Sequence, residues 1–137
     1  MGKILSVDYG TKRSGIAITD TMQLIAAGLT TVSTHLLNEF ISDIIIKEDI
    51  ECIVVGAPKN LDGTKTKITK YVDHFVKRLV KLYPAILIRQ VDERFTSKIA
   101  KDTILASGVS KKRRQDKFLV DKVSATIILQ SYLDSRK

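Results

Sequence analysis

Residues 3–20 read KILSVDYGTKRSGIAITD, two short apolar runs joined by a turn. KILSVD (3–8) and SGIAITD (14–20) have the length and composition of strands, and the turn between them contains Gly10 and ends at Gly15. IAAGLTTV (25–32) follows closely enough to complete an antiparallel three-strand meander. The period then changes. HLLNEFISDIIIKE (35–48) spaces Leu37, Phe40, Ile41, Ile44 and Ile45 as one helical face, and ECIVVGAP (51–58) is an apolar run stopped by Gly and Pro, as in a strand covered on both faces.

Residues 66–82 carry the strongest helical periodicity, with Ile68, Val72, Phe75, Val76, Leu79 and Val80 in one stripe and Lys70, Lys77 and Lys81 outside it. Pro84 separates that helix from a strand at 85–92, AILIRQVD. Thr96 or Ser97 caps a further expected helix ending at Gly108. The basic stretch SKKRRQDK (110–117) then leads into a last helix at 118–133. The order predicts an α/β fold: a mixed five-stranded sheet, an antiparallel meander plus two parallel strands returned by helical crossovers, flanked by helices. With 137 residues and no linker or repeat, the chain is expected to be a single domain, 1–137.

Composition narrows the function. Hydrophobic residues make up 44% and charged residues 28%, a globular balance. A lone Cys52 with only His35 and His74 excludes a zinc site or a disulfide scaffold. No apolar stretch is long enough for a signal peptide or a membrane span, so the expected location is the cytoplasm, without membrane attachment. Twenty-three Lys and Arg against 15 acids give a net charge of +8, which favours a polyanionic partner.

Acids stand where packing alone would not put them. In sheets of this kind working groups gather beyond the carboxyl ends of the parallel strands, which here are Asp8–Gly10, Gly56–Pro58 and Asp92–Glu93. Asp8 ends an apolar strand, although capping of the following turn would also explain an Asp there. Asp92 and Glu93 point to opposite faces of the sheet, and periodicity does not say which faces Asp8. Asp121 opens a helical stripe continued by Ala125, Ile128 and Tyr132; the competing account is a helix-capping acid. Three carboxylates from separate elements share a small volume only around a cation, and oxygen donors favour Mg2+ or Mn2+. A hard divalent ion beside a basic surface suits phosphodiester hydrolysis. Residues 94–122 carry nine Lys or Arg against three acids, enough to attract a phosphate backbone, with a solvated loop as the plainer account.

VDYGTKRSGIAITD, VGAPKNLDGT, VDERFTS and KFLVDKVSATIILQSYL resemble, in that order, the signature segments of the YqgF/RuvX family, from residue 3 to about 133. Its members are described as Holliday-junction-resolvase-like proteins and as pre-16S ribosomal RNA nucleases. The resemblance implies a ribonuclease H-like fold and assigns catalysis and metal ligation to Asp8, Glu93 and Asp121, and only by this analogy is Glu93 chosen over Asp92. Water would attack the phosphorus in line, leaving 5′-phosphate and 3′-hydroxyl ends. Gly10, Lys12, Arg13, Lys59, Asn60, Arg94, Lys111, Lys112, Arg113 and Arg114 would contact nucleic acid. Many enzymes of this fold use four acids. Here Ser124 and Phe118 flank Asp121 by one turn, and Asp20, Asp62 and Asp116 are unnominated substitutes.

The implied function is 5′-end maturation of pre-16S RNA, with RNA favoured over DNA and precursor ribosomal particles as partners, in a monomer or homodimer. The alternatives are a four-way DNA junction resolvase and a noncatalytic nucleic-acid-binding module. The D-x-G-T turn also resembles the phosphate loop of actin-like ATPases, but those close two such domains around ATP. Cys52 reads as a core residue, and His35 and His74 as solvent-facing.

Overall fold

The computed structural model describes residues 2–57, 66–92 and 116–136. Five strands form one sheet: β1 (Lys3–Asp8), β2 (Arg13–Thr19), β3 (Ala26–Ser33), β4 (Ile50–Ala57) and β5 (Leu87–Asp92). Their spatial order is β3-β2-β1-β4-β5. β1–β2 and β2–β3 pair antiparallel, whereas β1–β4 and β4–β5 pair parallel. The expected meander with two returned strands is therefore the observed sheet. Three helices flank it among the described residues: α1 (Leu37–Lys47), α2 (Thr69–Leu82) and α3 (Lys117–Ser135). A short 3-10 turn, Thr34–Leu36, leads into α1. The helix expected between Thr96 and Gly108 lies outside the described residues.

Strand alternation divides the interior in two. Leu5, Val7, Ile16, Ile53 and Val55 point to one side, where Leu37 and Ile41 of α1 and Val72, Phe75 and Leu79 of α2 cover them. Ile4, Ala17, Cys52 and Val54 point to the other and meet Ala125, Ile128, Leu129 and Leu133 of α3. Residues 4–7 and 52–56 are buried on both faces because both sides of the sheet's centre are covered.

Small side chains bring α3 close to the strands. Ser6 is fully buried, and its hydroxyl donates to the Ala125 carbonyl at 2.7 Å. Thr31, opposite Gly15 in the β2–β3 register, donates to the Phe118 carbonyl at 2.7 Å. Gly15 itself has no room for a side chain, because a Cβ there would collide with the backbone carbonyl of Asp121. Thus β1, β2 and β3 each fix one point of the first half of α3, at residues 125, 121 and 118.

Candidate active site

Asp8 ends β1 with its side chain on the α3 side of the sheet, since Ile4 and Ser6 share its parity. It is directly opposite Gly15, whose bare face receives the backbone of Asp121. The register of a hairpin and one glycine therefore bring two carboxylates, distant by more than a hundred residues in the chain, to one end of one sheet face.

Asp121 is no helix cap. The N-cap of α3 is Asp116, whose carboxylate accepts from the Phe118 N–H at 3.0 Å. Asp121 lies in the second turn, where its carboxylate accepts from Arg13 Nε at 2.9 Å. Both side chains of that pair are about three-quarters buried, at 28% and 23% exposure. The Arg13 guanidinium also lies 5.8 Å from the centre of the Phe118 ring. Arg13 is thus bound to α3 on two sides, and it orients the Asp121 carboxylate.

On the opposite face of the same turn, Ser14 and Thr34 share a hydroxyl hydrogen bond of 2.9 Å. Thr34 donates to the Gly10 carbonyl at 2.6 Å, its N–H donates to the Lys12 carbonyl at 2.9 Å, and the Gly10 N–H reaches Ser14 Oγ at 3.4 Å. A Cβ on Gly10 would collide with the Arg13 carbonyl, so the tight turn requires glycine there. The loop that carries Gly10, Lys12 and Arg13 is held by Thr34, a residue that the sequence does not single out. Lys12 is exposed.

Asp92 faces away from this end. It is four residues beyond Ile88 and so shares its parity, and Ile88 packs with the α1–α2 core whereas Val91 packs with α3. Asp92 and Asp8 therefore lie on opposite faces of the sheet. Glu93, Arg94, Lys59, Asn60, Lys111, Lys112, Arg113 and Arg114 lie outside the described residues, as does Asp62. Among the described residues no three His, Cys, Asp or Glu side chains form a metal-binding cluster; Asp8 and Asp121 share one end of one sheet face.

The other substitutes for a fourth acid have structural roles. Asp116 caps α3. Asp20 closes the β2–β3 turn by accepting from the N–H groups of Met22, Leu24 and Ile25 at 3.1, 2.9 and 2.9 Å, at the far end of β2 from Gly15. The Ile25 N–H contributes most to holding the Asp20 carboxyl below its ordinary pKa. Burial pushes the Cys52 thiol up, in keeping with a core residue 3.9 Å from the Tyr132 hydroxyl. His35 and His74 are exposed, as expected. Tyr9 turns away from Asp8 and packs on Phe75, with ring centres 5.1 Å apart.

A mixed sheet in this strand order, with acids at the carboxyl end of its central strand and on the helix across it, defines a ribonuclease H-like domain. Two solved structures share the fold. One is the Fowlpox virus resolvase with Holliday junction DNA, at TM-score 0.63 and 14% identity, covering 98% of each chain. The other is the T. thermophilus RuvC complex with a Holliday junction, at TM-score 0.57 and 12% identity, covering 99% of this chain and 96% of that one. The chain belongs to the RuvX family, whose model matches residues 2–135 and is described as Holliday junction resolvase. A Flavobacterium johnsoniae protein named "Putative pre-16S rRNA nuclease" is 49% identical over 137 residues, covering 100% of this chain and 99% of its own length. A Bacteroides thetaiotaomicron protein of the same name is 50% identical with the same coverage.

Proposed function

We propose that this chain, a single domain over residues 1–137, is a cytoplasmic endonuclease that hydrolyses phosphodiester bonds of pre-16S ribosomal RNA during 5′-end maturation. The observation that carries the reading is the placement of Asp8 and Asp121 on one face through the Gly15 contact. A packing role for either acid does not call for that convergence. The names of relatives about half identical over the whole chain support RNA as the substrate.

The donor set is oxygen alone, which fits a hard divalent cation, Mg2+ or Mn2+, held by Asp8 and Asp121. Glu93 is the proposed third ligand. Support comes from Asp92, which lies on the sheet face opposite Asp8. The chemistry such an ion supplies when bound is acidification of a water and stabilisation of charge on the departing oxygen. Arg13 orients Asp121 through Nε, and its guanidinium carries further N–H donors of the kind that grip a phosphate. Gly10 and Lys12 border the same turn, where the backbone of the substrate passes. Lys59, Asn60, Arg94 and the basic run Lys111, Lys112, Arg113 and Arg114 supply the remaining nucleic-acid contacts, and precursor ribosomal particles are the proposed setting.

The test uses matched 5′-labelled substrates, a precursor 16S leader RNA and a four-way DNA junction, with Mg2+ or Mn2+ and with chelator. Asp8→Asn, purified in parallel, controls for contaminating nuclease. Metal-dependent RNA cleavage that is lost in Asp8→Asn supports the reading. Paired symmetric cuts in the junction alone replace it with recombination, and binding of both without any cut replaces it with a noncatalytic module.

A further inference from the structure

A groove runs between α1 and α2, on the opposite side of the sheet from Asp8 and Asp121, and nothing in the proposed chemistry uses it. Its character follows from α2. Val72, Phe75 and Leu79 are buried against the sheet. Lys70, His74, Lys77 and Lys81 recur at intervals of four, three and four residues, which makes them one stripe along the helix. At 1.5 Å per residue the stripe is about 16 Å long. The helix carries Lys70, Lys77, Arg78 and Lys81 against a single acid, Asp73.

A row of lysines on an amphipathic helix is ordinarily a solvated face. Two features separate this one. The cations line a concavity rather than a convex surface: Lys77, Arg78 and Lys81 border the groove together with Tyr71. The recess continues along α2 to Thr66 and Lys70, sharing His74 and Lys77, with Asp73 as the one acid on its wall. Tyr71 is 52% exposed beside these cations, which leaves an aromatic side chain open at the groove. The other end of the groove is formed by Tyr9 and Thr34, which flank and hold the turn that follows Asp8.

We infer that the α1–α2 groove is a track for single-stranded RNA, with phosphates on Lys70, Lys77, Arg78 and Lys81 and an unpaired base stacked on Tyr71. Only an unpaired base offers its face to an exposed ring, so the aromatic residue selects a single strand over a duplex. The strand leaves the groove at Tyr9 and rounds the carboxyl end of β1 to reach the Asp8 face. The destination of the strand rests on the nuclease reading; the binding surface does not.

Binding is measured by fluorescence anisotropy of a labelled oligouridine on the full chain carrying Asp8→Asn, which prevents cutting, as a function of salt. Lys77→Gln with Lys81→Gln should make the slope of log K against log salt shallower by about 1.4, from two lost contacts to a single strand. Tyr71→Ala should weaken binding about tenfold while leaving that slope unchanged. All three residues are exposed, and unchanged thermal melts verify the fold. The inference is overturned if these variants bind like the parent, or if a duplex of equal length competes as well as the single strand. It is equally overturned if the lysine changes abolish a concentration-dependent dimer while RNA binding persists, which would assign the face to a second copy of the chain. Cleavage by chains that retain Asp8 separates the two readings. Unaltered binding with intact cleavage removes the groove and keeps the nuclease, whereas weakened binding with no cleavage in any chain does the reverse.

Discussion

Replacing Gly15 with alanine adds one methyl group and asks whether the approach of α3 to β2 determines the active site. Gly15 has an ordinary strand conformation, so alanine strains no dihedral angle. If the site had room, the change would stabilise the chain by about 0.4–1 kcal/mol through loss of unfolded-state entropy. The structure gives the opposite sign. The new Cβ meets the Asp121 carbonyl and lies 3.1 Å from the Lys122 nitrogen, and both obstacles are backbone that cannot rotate aside. Relief requires α3 to move away, against the Ser6–Ala125 and Thr31–Phe118 hydrogen bonds. Overpacking of this kind costs about 2–3 kcal/mol. At roughly 4 °C per kcal/mol for a domain of this size, Tm should fall by about 8–12 °C. Displacement of Asp121 by an ångström should also reduce cleavage about a hundredfold at temperatures where the variant remains folded. Calorimetry and the labelled-RNA assay read the two effects. A higher Tm with full cleavage would refute the packing argument.

Asp121→Asn should eliminate metal-dependent cleavage while lowering stability by at most about 1 kcal/mol, the usual range for a partly exposed pair such as Arg13–Asp121; a large drop in Tm with cleavage retained would make the residue structural. Ser6→Ala removes a buried donor but leaves the Ala125 carbonyl its helical partner, so a loss of about 1 kcal/mol is expected in urea unfolding, and no loss would show that the hydroxyl contributes nothing to seating α3. The folded-state pKa of Asp20 is depressed, chiefly by the Ile25 N–H, so its contribution is present above the unfolded carboxyl pKa and disappears as pH falls through the folded value. Melts of Asp20→Ala should therefore lie below the parent at neutral pH and converge with it in acid; a constant gap from pH 6 to pH 2 would contradict this.

Local periodicity carried most of the architecture. The alternation and turn residues of 3–20 predict the hairpin, apolar runs predict the covered strands, and the stripe in 66–82 predicts α2, all with ends shifted by only a few residues. These signals survive in a single sequence because each depends on neighbours within one or two turns. Asp8 and Asp121 were legible as candidates because a charge at an apolar run's end or on a core-facing stripe is costly without a reason. The family resemblance chose Glu93, and the sheet adds that Asp92 faces the other side.

Other features had no local signal. Ser6, Gly15 and Thr31 look like ordinary small strand residues, yet they determine where α3 sits, through contacts that join β1–β3 to residues 118–125. Thr34 looks like loop filler, yet it fastens the turn bearing Gly10, Lys12 and Arg13. Arg13 reads as a basic residue near a phosphate, and only the folded chain pairs it with Asp121, 108 residues away. The sequence by itself determined which segments are strands and helices and which acids stand out of place. Tertiary structure alone decided which acids share a sheet face, because the contacts that seat α3 are between small groups far apart in the chain. Periodicity records which face of an element is buried, and it holds no record of what that face is buried against.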